Sequence, residues 1–231
     1  MRLKDLQSSL EEYLGFLHSP SRDAHLPLWE AQRLFQERWN PDAPDWADMY
    51  EKSLDSTQTR RYWSRDDYQP KALMHRFMQQ QPIFTRQLFD DLFREDRSID
   101  GRLRRFVLAC DELLKDHQER HPRERQASHY HDDGYQIIFL YLAFRFPDLY
   151  SPYDYTAFVH TLRRIGAPDV PATHDPERFV KVSRTIFKFL QQHEGIQAAH
   201  RARLDPNRDY MAPSMLLVYD YMQFIKGEKL R

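Results

Sequence analysis

The chain has 231 residues, with 34 basic and 35 acidic side chains and a formal net charge of −1. That length can bury a substantial core, and the apolar and aromatic content excludes a disordered chain. A single cysteine, Cys110, excludes a disulfide framework and a cysteine-rich zinc site, and six glycines leave little for phosphate-cradling loops.

From the N-terminus, Leu3, Leu6, Leu10, Tyr13, Leu14 and Leu17 recur at alternating spacings of three and four, one face of a helix stopped by Ser19-Pro20. No apolar signal-peptide core precedes them, so a cytoplasmic protein is expected. Trp29, Gln32, Phe35, Gln36 and Trp39 predict a second helix from Leu28, ended by Asn40-Pro41. Asp45 can cap a third, carrying Trp46, Met49, Tyr50 and Leu54. Residues 56–69 are polar and read as a loop. Helices are then expected over 71–80 and from Pro82 onward. The longest apolar stripe, Ile99, Leu103, Phe106, Val107, Cys110, Leu113 and Leu114, places a helix from Ser98 to His117.

Residues 118–133 are charged and histidine-rich, and read as a linker. Tyr135 to Phe146 is apolar nearly all round. A buried strand is possible on periodicity alone, but Leu, Ala, Gln and Phe outnumber the β-branched residues and nothing else reads as a partner strand, so a buried central helix is expected. It falls well short of the roughly 20 residues that span a bilayer, so no membrane contact is expected. Another helix follows over 153–165, closed by Gly166. Asp175 caps the next, with Pro176 at its first position and Gly195 as its breaker. A last helix is expected over 213–225. The fold class is therefore all-α: an irregular bundle of about ten helices, as one body or as two subdomains, 1–120 and 134–231, joined by a linker at 121–133.

Motifs for nucleotide and hydrolase chemistry are missing: no GxxxxGK[ST], no GxGxxG and no GxSxG occurs. His117, His121, His129 and His131, with Asp132 and Asp133, have the residue types of a metal site. However, Pro122 interrupts the helix and the HExxH glutamate is absent, so a solvated linker explains them equally well. No cofactor and no catalysis are expected. Cys110 lies on an apolar stripe and reads as an inert core thiol.

Charge is unevenly distributed. Residues 1–60 hold 7 basic and 11 acidic groups, and residues 160–208 hold 9 basic and 5 acidic groups. On the helix after Asp175, Lys181, Arg184 and Lys188 share one face, opposite Phe179, Val182, Ile186 and Phe189. Arg163 and Arg164 end the preceding helix. These five cations are the candidate phosphate contacts for DNA, with Tyr150, Tyr153 and Tyr155 as a stacking platform. Solvated basic surface and packed tyrosines are the competing explanation. The near-zero net charge favours a protein partner instead.

The segment from Asp132 to Gly166 carries an apolar helix ending in Arg145-Phe146-Pro147-Asp148-Leu149-Tyr150, then Tyr153-Asp154-Tyr155, then a helix closing on Gly166. This pattern, with Trp29-Glu30, Phe35-Gln36 and Trp39 near the start and Phe189-Leu190 later, resembles the N-terminal regions of McrB-type AAA+ proteins, the motors of modification-dependent restriction systems. The resemblance implies a non-catalytic recognition or regulatory module of an antiviral restriction system, working with an AAA+ motor in cis or in trans. The motor motifs themselves are not in these residues. A helical protein-interaction module without nucleic-acid binding is the alternative.

Overall fold

The computed structural model describes residues 2–56, 69–122, 130 and 134–227. Among these the chain forms eleven α-helices and no strand, so the all-α expectation holds. In chain order they are α1 (Leu3–Leu17), α2 (Pro27–Arg38), α3 (Trp46–Ser53), α4 (Pro70–Gln80), α5 (Pro82–Leu92), α6 (Ile99–Arg120), α7 (Gln136–Arg145), α8 (Tyr155–Arg164), α9 (Pro176–Gln192), α10 (Glu194–Arg203) and α11 (Leu216–Gly227). A short 3₁₀ turn, Pro20–Asp23, follows α1.

Local chemistry starts these helices where the residues demand it. Asp45, Ser98, Asp154 and Asp175 each accept a hydrogen bond from the backbone N–H three residues on, satisfying an orphan donor of the first turn. Proline opens α2, α4, α5 and α9, where its missing N–H costs nothing.

Two elements depart from the sequence reading. α6 continues to Arg120, into the segment expected to be linker, because His117 is buried on its inner face and extends the stripe by another turn. Most of the rest of that segment lies outside the described residues. α10 was not expected at all. Gly195 does not end helical structure; it sits in the first turn of α10, beginning one residue after the His193 junction. A Cβ at Gly195 would stand 3.2 Å from Leu14 Cδ2, so the missing side chain lets α10 approach α1.

The core is organised on α7, whose residues from Ile137 to Phe144 are all buried. Its final carbonyls are satisfied from α2. Gln32 Nε2 donates to Ala143 O at 2.9 Å, and Gln36 Nε2 donates to the carbonyls of Phe144 and Arg145. The two glutamines lie one helical turn apart, so they meet successive carbonyls of one helix end. Around this axis α2 packs on α3 and α7, and α5 on α6. α1 lies against α8, α10 and α11 from the other half of the sequence. Buried side chains from both halves form one continuous hydrophobic cluster. No helix among the described residues is long and apolar enough to cross a membrane.

Candidate nucleic-acid interface

α9 is held by the ladder Phe179, Val180, Ser183, Ile186, Phe187 and Leu190, all buried. This inward face is rotated from the expected one: Val182 and Phe189 are only half-buried. Arg184 lies one turn from both Val180 and Phe187, so the rotation draws it toward the core. Its Nε donates to Leu149 O at 3.1 Å, and its guanidinium lies 5.2 Å from the centre of the Tyr150 ring. Arg184 therefore ties α9 to the turn after α7.

Arg164 is also committed. It pairs with Glu12 on α1, and the contact joins the end of α8 to the N-terminal helix. The remaining three expected contacts, Arg163, Lys181 and Lys188, are exposed. Lys181 and Lys188 stand seven residues apart on one face, about 10 Å along the axis. They border a shallow groove of about 430 Å³ between α9 and the start of α6, whose walls include Ser98, Ile99, Glu177 and Arg184. The first turn of α6 contributes the positive end of a 22-residue helix to this groove. A second groove, about 580 Å³ and more apolar, lies on the other side of Lys181, between α8 and α9.

The tyrosine platform does not form. Tyr150 and Tyr153 are buried and Tyr155 is half-buried. Tyr150 OH donates to Glu95 at 2.9 Å and accepts from Arg102. The Tyr153 hydroxyl lies 3.1 Å from His174 Nδ1, and burial raises its pKa well above the ordinary value. Tyr155 OH donates to Pro171 O at 3.0 Å. These rings pack because the turn Pro147–Pro152 folds them against α6 and α9. Packed tyrosines, the competing explanation in the sequence, are what the fold contains.

The histidine cluster divides in the same way. His117 on α6 and His121 at its C-cap have tilted rings with centres 4.7 Å apart and share Gln80 as a hydrogen-bonding neighbour. His129, His131, Asp132 and Asp133 lie outside the described residues. No group of three or more potential metal ligands occurs among the described residues. Cys110 is fully buried, and burial pushes its thiol pKa well up, which opposes thiolate formation.

A buried charge cluster lies inside the fold and gave no signal in the sequence. Asp220 on α11 accepts from Tyr13 OH at 2.7 Å and Arg203 Nη2 at 2.7 Å, and lies 2.8 Å from His25 Nδ1. Arg203 also donates to Arg22 O and to His200 Nδ1. Burial pushes the Asp220 carboxyl up, but the His25 contact, the Arg203 charge and the Tyr13 hydroxyl outweigh it and hold the pKa below the usual range. His200 goes the other way. Burial first, then the Arg203 charge, lower its pKa to about 3, so its Nδ1 remains an acceptor for Arg203. The cluster fastens α1, the 3₁₀ turn, α10 and α11 together.

No protein-family model, curated protein or solved structure matches the chain.

Proposed function

We propose that this protein is a non-catalytic, cytoplasmic recognition module of a McrB-like AAA+ restriction system, meeting DNA phosphates through the outer face of α9. The observation that carries the contact is the placement of exposed Lys181 and Lys188 on the rim of a groove shared with the positive end of α6. Arg163 adds an exposed cation at the end of α8. Arg184 and Arg164 serve in positioning, since their guanidinium groups are spent on Leu149 and Glu12. The motor partner, in cis or in trans, follows from the family resemblance alone.

Fluorescence anisotropy with labelled methylated and unmethylated duplexes, at low and high salt, tests this reading. Binding that weakens with salt and is lost in a Lys181→Glu, Lys188→Glu double variant is the expected result. No binding at micromolar protein in low salt would overturn the DNA contact.

One observation favours the protein-interaction alternative. Ile83, at the start of α5, is 75% exposed, and Phe84 beside it is also exposed. Pro82, next to Ile83, lines a groove together with Asp45, Asp48 and Glu51, and exposed apolar side chains suit a protein partner better than a phosphate chain.

A further inference from the structure

His117 and His121 are four residues apart, one on the last turns of α6 and one at its C-cap, so both rings lie over the same side of the helix end. Gln80, the last residue of α4, reaches them from the neighbouring helix. His117 Nδ1 and His121 Nε2 each lie 3.1 Å from one and the same atom, Gln80 Nε2. Two imidazole nitrogens therefore converge on a single point. The amide oxygen is close as well, 3.4 Å from His117 Nδ1.

Packing holds this arrangement. His117 is 6% exposed, and its ring meets Phe77 of α4 edge-on with centres 6.1 Å apart. Gln81, next to Gln80, donates to Asp116 Oδ2 at 2.9 Å, which fixes the end of α4 against α6 a second time. His121 is only half-buried.

An amide nitrogen carries two hydrogens, one for each imidazole lone pair. Lone pairs that meet at one donor are equally placed to meet at a cation. Closing by about 1 Å on each side brings the two nitrogens to the roughly 2.0–2.1 Å of a zinc–imidazole bond. Turning the amide over presents Oε1 in place of the N–H group. Two nitrogens and one oxygen suit ions that prefer imidazole, whereas magnesium and calcium take oxygen ligands.

We propose that His117, His121 and Gln80 bind a divalent transition-metal ion of the zinc class, with water completing the coordination. The ion clamps the end of α4 to the end of α6. Gln80 is a neutral ligand, so a moderate affinity is expected. The site lies about 28 Å along α6 from the first turn that borders the groove of Lys181 and Lys188, so it is independent of the phosphate contact.

Calorimetric titration of the full chain, free of any affinity tag, with zinc chloride tests this. One zinc ion per chain is expected, and no binding of magnesium. Zinc at a hundredfold excess over its Kd should raise the thermal midpoint by about 5–10 °C. His121→Ala, at a half-buried position, should keep the helical spectrum and weaken zinc binding at least about tenfold. Gln80→Glu puts an anionic oxygen at the point of convergence and should bind zinc more tightly than the wild type, a gain that a hydrogen-bonding role for Gln80 would not produce. Absence of saturable binding up to about 1 mM zinc would overturn the proposal. So would zinc binding that His121→Ala leaves unchanged, which would place the ion elsewhere, or a folded Gln80→Glu variant that binds no more tightly.

Discussion

Two ionic clusters in this chain share an arginine, a carboxylate and a tyrosine, and they differ in how far water reaches the carboxylate. In the first, Asp220 and Arg203 meet with Tyr13 at the junction of α1, α10 and α11, with side chains 0% and 1% exposed. In the second, Glu95 and Arg102 meet with Tyr150 beside α6, and the Glu95 side chain is 35% exposed. Each has an arginine, a carboxylate and a tyrosine hydroxyl at hydrogen-bonding distance. Water reaches one carboxylate and not the other. Breaking the dry cluster strands a charge that nothing can solvate, whereas the wet one can recruit water. The residue types alone do not distinguish these cases.

The largest effect is expected at the dry cluster. Asp220→Ala leaves Arg203 buried and unpaired, and should cost about 3–5 kcal/mol in a denaturant titration. A loss under about 1 kcal/mol would show that the cluster is hydrated.

His200 gives the same cluster a pH signature. Its folded pKa, about 3, lies below the ordinary value of 6.5, so the unfolded chain takes up a proton that the folded one refuses. Stability is therefore full above pH 6.5 and declines as pH falls from 6.5 toward 3. Asp220 adds a loss of the same sign at lower pH, because its depressed pKa favours the fold only while the carboxyl is ionised. A His200→Gln variant should flatten the upper part of this slope in unfolding titrations at several pH values, leaving the lower part in place.

Gly166 provides an intermediate test at the docking of α1. It holds φ +61°, and a Cβ there would meet Asp5 Oδ2 at 2.5 Å. Gly166→Ala should cost about 1–3 kcal/mol, through backbone strain and a displaced α1 N-terminus. Thermal unfolding would measure it. The wet cluster comes next. Glu95→Gln keeps a hydrogen-bonding group for Arg102 and Tyr150, and should cost about 1 kcal/mol or less. The smallest effect belongs to the exposed stripe: Lys181→Glu with Lys188→Glu should shift stability by no more than about 0.5 kcal/mol. A larger loss there would mean that these lysines are structural.

Much of the architecture was legible in the residues. The Leu6, Leu10, Tyr13 and Leu17 spacing of α1, the caps at Asp45, Ser98 and Asp175, and the all-round apolar α7 each reflect interactions within one or two turns of chain. α10 was not legible, because Gly195 has the same appearance whether it ends a helix or makes room for Leu14 in the first turn of one. The candidate site was legible only in part. Spacing placed Lys181, Arg184 and Lys188 on one face, but not the rotation of α9 that turns Arg184 inward to Leu149. Nor did it indicate that Glu12, 152 residues away, would engage Arg164.

The sequence by itself determined that this chain is helical, where most helices begin, and which residues form the central α7, because capping and apolar periodicity are local and repeat within a few residues. Only the tertiary structure decided which charges are buried and which are exposed. It made Asp220 and Arg203 a core pair, turned the tyrosines of the 150–155 turn from a surface platform into packing, and left Lys181, Lys188 and Ile83 facing outward. The physical reason is that desolvation depends on what lies opposite a side chain, and in this fold the opposite group can come from a helix 207 residues distant.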